Sequence, residues 1–329
     1  MPTVKKMSDK RLFLGIDTSN YTTSVSLCDM DGRVILNLKR LLDVKEGERG
    51  LRQSDALFAH TKNLPELMQT LKQFLIKECS DAEIVAVGCS ATPRDVEGSY
   101  MPCFLSGVAS AETASAMLGC PLYRFSHQNG HVMAALYSSG KTELLASKSP
   151  FAAFHVSGGT TELLLVNPDQ NGFAIEQIGG SSDMNAGQAI DRTGVLMGMK
   201  FPCGREMESI CKDVPYRRGK ISVNGLECNL SGLENLASKL YRETNDRAVT
   251  SAFCFDFIAD TIKKLTVNLR EIYPNIPVIY AGGVMSNKRI AKSLSTLGDV
   301  YFSEPEFSSD NAAGIALLCR RKYLNENDK

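Results

Sequence analysis

The feature that most limits how this chain can fold is a strand–turn–strand unit that occurs twice. FLGIDTSNYTTSVSL (residues 13–27) and FAAFHVSGGTTELLLV (residues 151–166) each set two β-rich runs around a turn of small, hydroxyl-bearing residues. A further β-rich run follows each unit, VILNL in the first half and FAIEQI in the second. The likeness lies in rhythm more than in residue identity, which points to two structural repeats of one architecture. At 329 residues the chain exceeds the usual size of a single core, so two lobes are expected. The polar stretch SSGKTELLASK places the boundary between a lobe over residues 10–145 and one over 146–329.

Between the repeats the periodicity alternates between strand and helix. Asp31-Gly32 reads as a hairpin turn joining TTSVSLC to VILNL. A polar loop, EGERGLRQS, leads into a helix over about 55–77, where Leu57, Leu64, Leu67, Leu71 and Leu75 recur at helical spacing. EIVAVGCS reads as a buried strand, FLSGVASAETASAMLG as a helix of small residues, PLYRF as a strand and HQNGHVMAALYS as a helix. In the second half, helices are expected near 185–198 and over 231–271, followed by the strand PVIYAGG and a helix from Ser286. The strand DVYF and a last helix from about Ser308 complete the chain. This alternation predicts an α/β fold.

Charge narrows the choice of partners. Lys and Arg together balance Asp and Glu at 37 each, so no overall field recruits nucleic acid and any such contact needs a local patch. No segment reaches the length of a membrane span, and MPTVKKMSDK at the start lacks the apolar run of a signal segment. The ten cysteines are scattered, without a CxxC pair, and several sit in apolar runs such as SVSLC and IALLC. They read as small core residues in a reducing cytoplasm, with no membrane partner.

Three turns can carry chemistry. GIDTSNYTTS and VSGGTTE present backbone N–H groups and hydroxyls, which suit an anion. IYAGGVMSNKR runs from a strand through two glycines into a helix, so a ligand can approach the backbone closely. His127 and His131 in HQNGH lie four apart, so on a helix both imidazoles project from one face, the spacing of helical metal sites. Two ligands seldom suffice, and a pair of polar residues on a wet helix face explains the same spacing. Asp310 in FSSDNAAGIALL can supply a carboxylate or simply cap the helix that follows. Asp191 can face a ligand or pair with Arg192.

Taken together and in order, the three turns resemble the two phosphate turns and the adenosine motif of the actin, Hsp70 and sugar-kinase ATP-binding superfamily, whose fold is two ribonuclease-H-like lobes. HQNGH, VSGGTTELLLV, AGQAIDRTGVLMG, AGGVMSNKR and DNAAGIA, in that order, resemble the tRNA threonylcarbamoyladenosine synthase (TsaD-type) family, formerly described as glycoproteases. The likeness runs from Gly15 to about Ile315. It implies a metal-dependent acyltransferase that moves a threonylcarbamoyl group from threonylcarbamoyl-adenylate to adenosine 37 of ANN-decoding tRNA, working with protein partners of the same machinery. It implies one divalent metal, Fe(II) or Zn(II), held by His127, His131 and Asp310, with magnesium as a further cation accompanying the nucleotide. It implies ligand roles for Ser157, Gly158 and Gly159 in the second turn, for Asp191 and Gly204 toward the nucleoside, and for Asn287 at the adenosine motif. It assigns no side chain to proton transfer.

The chain also departs from the family pattern. The family's GIETSCDET is here GIDTSNYTT, so Tyr21 and Thr22 stand where two acids are usual. VSGGHT has become VSGGTT, which puts Thr160 in place of a histidine, and YPGG has become FPCG. Fewer carboxylates near a phosphate alter how an adenylate or a magnesium ion is held. They also admit a second function, a non-catalytic nucleotide- and metal-binding paralogue that regulates or scaffolds a partner. A small-molecule phosphotransferase fits less well, because Tyr21 and Thr22 stand where its acid would be. The pair lacks the glutamate of HExxH, so peptidase chemistry is not indicated.

Overall fold

The computed structural model describes residues 9–19, 21–43, 51–169 and 172–327. Asn20 of the first turn and residues 44–50, which include the start of EGERGLRQS, lie outside them. The chain forms two units, each built on one sheet.

The first unit holds β1 (Arg11–Ser19), β2 (Thr22–Asp29), β3 (Val34–Leu41), α1 (Gln53–Glu78), β4 (Glu83–Thr92), α2 (Phe104–Leu118), β5 (Leu122–Ser126) and α3 (His127–Ser138). Its sheet has the order β3-β2-β1-β4-β5. The first three strands pair antiparallel and the last two join parallel to β1. Gly32 closes the β2–β3 hairpin at φ 78°, as the Asp-Gly pair predicts. β1 is buried on both faces, so its residues sort by parity. Leu12, Leu14 and Ile16 enter the core shared with Leu64, Leu67 and Leu71 of α1 and Ala111 of α2. Phe13, Gly15 and Asp17 point to the opposite face.

The second unit holds β6 (Phe151–Val156), β7 (Thr161–Pro168), β8 (Phe173–Ser181), α4 (Ala186–Leu196), α5 (Gly204–Ile210), β9 (Ser222–Asn224) and β10 (Glu227–Asn229). It continues through α6 (Gly232–Thr244), α7 (Arg247–Ile272), β11 (Val278–Ala281), α8 (Lys288–Leu294), β12 (Val300–Phe302) and α9 (Pro305–Ser308). Its sheet order, β12-β11-β6-β7-β8-β10-β9, contains the same five-strand arrangement, with β6 and β11 in the places of β1 and β4. The two repeats seen in the sequence are therefore two ribonuclease-H-like α/β sheets. The helix expected over 231–271 is two helices. Asn245 adopts φ 49°, which ends α6, and the Asp246 carboxylate accepts from the Ala248 and Val249 N–H groups to start α7.

The last helix, α10 (Ala313–Asn327), returns to the first unit, as do residues 168–174 and the approach to α10 from Ser309. The boundary expected at 145/146 lies close to the chain's passage out of the first unit after Tyr137, but a single cut does not describe the arrangement. The reason is glycine. A Cβ on Gly15 of β1 would lie 2.5 Å from both Ala312 O and Ala316 N, and one on Gly88 of β4 would lie 2.9 Å from the Cys319 Cβ. The sheet thus presents a flat surface that only a helix rich in small residues can occupy, and AAGIALLC supplies it. All ten cysteines are free thiols, and all but Cys120 are buried, as expected of core residues. Among the described residues no helix is long and apolar enough to cross a membrane.

Candidate functional site

His127 and His131 occupy the first two turns of α3. Their Nε2 atoms face each other at 2.9 Å, so one ring donates and the other accepts. Asp310 Oδ1 lies 3.2 Å from His131 Nε2 and 3.6 Å from His127 Nε2. Ligand atoms each ~2.1 Å from one ion lie roughly 3.0–3.4 Å apart at tetrahedral or octahedral angles, so this triangle has the size of one metal site. All three ligand atoms lie within 4.8 Å of one another. The donor set of two imidazoles and one carboxylate suits Zn(II) or non-haem Fe(II), and leaves positions open to a substrate.

Asp310 does not cap α10. Asn311 Oδ1 accepts the Ala313 N–H at 3.1 Å, and so does the capping that the sequence offered to Asp310. Asp310 is brought to the histidines by a contact between glycines. A Cβ on Gly314 would lie 1.9 Å from Gly130 O, and one on Gly130 would lie 3.0 Å from Ile315 Cδ1. α3 and α10 therefore cross at backbone contact, at the residue just before His131 and four residues after Asp310.

Asp17 supports the site from behind, and sequence reasoning missed it. The His127 Nδ1–H donates to Asp17 Oδ2 at 3.0 Å, with Oδ1 at 3.2 Å, and Asp17 is fully buried. This fixes the His127 tautomer with Nε2 turned toward His131 and Asp310, the carboxylate–histidine arrangement found behind metal ligands. Burial pulls His127 toward the neutral form, but the Asp17 and Asp310 carboxylates outweigh it and push the imidazole up to about 10. Burial works against the charge on Asp310, and the two histidines still hold its carboxyl well below the usual range. The sequence signal for Asp17 was its parity: with Phe13 and Gly15 it faces α10, while Thr18 faces α2 and bonds Cys103 O at 3.1 Å.

The residues assigned to a nucleotide lie in the second unit, around the end of β6. Ser157 Oγ accepts from the Gly159 and Thr160 N–H groups, both at 3.2 Å, and the turn leaves Gly158 and Gly159 exposed. Two other elements dock against this turn. A Cβ on Gly187 of α4 would lie 2.6 Å from Gly158 Cα, and one on Gly282, at φ 98°, would lie 2.2 Å from Val156 O. Asp191 is one helical turn beyond Gly187, so both share a face of α4. It does not pair with Arg192, which bonds Glu234 at 3.1 Å. Asp191 Oδ1 accepts the Cys203 N–H at 2.8 Å beside Gly204, and burial raises its carboxyl above the usual range despite that bond. Asn287 is buried and caps α8, its Oδ1 accepting from the Arg289 and Ile290 N–H groups. Its side-chain oxygen is thus committed to structure.

A family model for tRNA N6-adenosine threonylcarbamoyltransferase (TsaD) matches residues 43–317. The chain belongs to the TsaD family. It is 30% identical over 267 residues to the tRNA N6-adenosine threonylcarbamoyltransferase of Streptococcus thermophilus, covering 76% of each chain. Its fold is similar to that of full-length HypF in a phosphate- and nucleotide-bound form, with a TM-score of 0.60 at 13% identity. That match covers 98% of this chain and 47% of HypF, so the chain spans about half of that protein. Component A of (R)-2-hydroxyglutaryl-CoA dehydratase from Acidaminococcus fermentans gives a TM-score of 0.51 at 13% identity, over 94% of this chain and 98% of that one. These likenesses agree with the actin, Hsp70 and sugar-kinase fold expected from the three turns.

Within the TsaD family pattern the departures have local physical settings. Thr22 is only 3% exposed, so the hydroxyl there avoids burying a charge, whereas Tyr21 is 40% exposed. Thr160 Oγ1 bonds Ser157 Oγ at 2.8 Å and tightens the second turn from within.

Proposed function

We propose that this chain transfers a threonylcarbamoyl group from threonylcarbamoyl-adenylate to N6 of adenosine 37 in ANN-decoding tRNA, together with protein partners of that machinery. The observation that carries the reading is the convergence of His127, His131 and Asp310, backed by buried Asp17, in a chain of the TsaD family. Those three residues would hold one Fe(II) or Zn(II), which as a Lewis acid would draw electron density from the carbamoyl carbonyl. Asp17 keeps His127 in the ligating tautomer and at a fixed ring angle. The exposed turn at Ser157, Gly158 and Gly159 offers backbone to the adenylate phosphate, with magnesium as a further cation there. Asp191 and Gly204 face the nucleoside, and Asn287 holds the adenosine turn in shape. In the transfer, the adenosine N6 lone pair bonds the carbamoyl carbon, the bond from that carbon to the phosphate oxygen breaks, AMP leaves, and N6 gives up a proton to solvent.

The test combines purified protein, threonylcarbamoyl-adenylate and unmodified tRNA, with and without the partner proteins. Product should form with the wild type and be lost in His131→Ala, and metal analysis should find one Fe or Zn per chain in the wild type alone. Absence of product under every condition overturns the reading. A second reading, a non-catalytic nucleotide- and metal-binding paralogue, is favoured by one observation, the uncharged pair Tyr21 and Thr22. It is distinguished by nucleotide binding without turnover, and by partner function that survives His127→Ala.

A further inference from the structure

The irregular segment between α5 and β9 reads CKDVPYRRGKI and carries four basic residues, Lys212, Arg217, Arg218 and Lys220, against the single acid Asp213. Arg217, Arg218 and Lys220 are exposed, and so is Lys264 of α7 nearby. Among the described residues the ion pairs of the second unit join Lys141 to Glu143, Arg192 to Glu234, Lys239 to Glu243 and Arg289 to Asp256. None of them neutralises these four cations. In a chain whose charges balance overall, this is a local positive field.

Mutual repulsion would spread such a loop, yet it is clamped. Arg289 donates to the carbonyls of Cys211 at 3.3 Å, Val214 at 2.9 Å and Pro215 at 3.2 Å. Its partner Asp256, 2% exposed, also accepts the Arg217 backbone N–H at 2.8 Å. Gly219 rests on α7, where a Cβ would come within 2.8 Å of the Phe257 ring. A buried ion pair costs desolvation, and here it fixes the shape of a segment that packs little core of its own. Arg218, Lys263 and Lys264 then line a cavity of about 260 Å³ whose one acid, Asp260, accepts from the Tyr216 hydroxyl. Tyr216 itself is 49% exposed. Cations lining a cavity beside an exposed tyrosine suit phosphates with unstacked bases between them, which is how unpaired RNA is held.

We propose that Arg217, Arg218 and Lys264, with Tyr216, form an RNA-docking surface on the second unit that grips an unpaired stretch of the tRNA substrate. The proposal rests on the reading that the chain acts on tRNA. Binding of an unmodified tRNA transcript to the full chain is measured across a salt series. Arg217→Glu with Arg218→Glu should weaken binding at least about tenfold near 0.1 M salt, and Arg217→Gln with Arg218→Gln should lower the slope of log affinity against log salt by roughly 1.5, at ~0.7–0.9 per phosphate contact. The neutral pair also serves if the charge-reversed protein melts early. Lys239→Glu, on α6, should leave affinity within about twofold, since one rim charge outside the contact adds little. Unchanged affinity and slope in the arginine variants, an equal loss in Lys239→Glu, or no tRNA binding by the wild type would each overturn the proposal. Transfer activity is read separately. Normal transfer with undiminished binding in the variants removes the docking surface alone, whereas variant-sensitive binding without any transfer by the wild type removes the catalytic reading alone.

Discussion

Under the proposed metal-binding role Asp17 acts through its bond to His127, so its removal should change the site without emptying it. Asp17→Asn keeps the side chain's size but removes the charge that opposes ring rotation and raises ligand basicity. We expect metal affinity to fall about 10-fold or more, within the roughly 10–100-fold range for outer carboxylates, as read by competition with a chelator. Affinity within twofold of wild type would show that Asp17 is only a packing residue. The same carboxylates set a pH dependence. With its folded pKa raised from 6.5 to about 10, protonated His127 stabilises the metal-free fold fully below pH 6.5, and that contribution fades as pH climbs toward 10. A metal must displace this proton, so between pH 7 and pH 9 binding should release one proton and tighten as pH rises. Calorimetry in buffers of different ionisation enthalpy measures the release, and a pH-independent affinity over that window contradicts it.

The crossing of α3 and α10 makes a stronger claim about which positions tolerate change. Gly314→Ala puts a methyl group 1.9 Å from the Gly130 carbonyl oxygen, where neither helix can yield without shifting Asp310. Overpacking of this kind costs about 1–3 kcal/mol, and metal should be lost together with stability. A Gly314→Ala protein that binds one metal with wild-type affinity would refute the crossing as the device that sets the ligand distance. Gly225, whose Cβ would meet nothing within 4 Å, sits at φ 56°, so its substitution is strained for a different reason and should leave the metal unaffected. The contrast also shows what was legible beforehand. The spacing of His127 and His131 reported one helix face, because i and i+4 are a property of the helix alone. Placing Asp310 beside them needed the distance between two helices, which depends on Gly130 and Gly314 lying opposite one another, and no local period encodes that. Asp17 fell between these cases: its strand parity was readable, but not what stood on that face. The helical stretch read over 231–271 is broken for a local reason, the left-handed turn at Asn245, whose Asn-Asp pair is a stop and a start side by side.

Both ribonuclease-H-like units were visible as a repeated rhythm, whereas the return of α10 to the first was not, because apolar helices carry no address. It follows that metal loading should stabilise the first unit in particular. At 100 times its dissociation constant a bound ion contributes about 2.7 kcal/mol, and a chelator removes it. Hydrogen exchange should then accelerate in β1, α3 and α10 and remain unchanged in β6 and β11. Equal acceleration in both units, or the same response in His131→Ala, would count against a metal held by these residues. The arrangement also has a consequence for the order of events during synthesis. His131 leaves the ribosome about 180 residues before Asp310, on the order of 10–40 s at ~5–20 residues per second. Until then the nascent chain offers only a two-histidine site, too weak to keep an ion. On the proposed metal-binding reading, insertion is therefore a late step of maturation, one that waits for the last helix to be made.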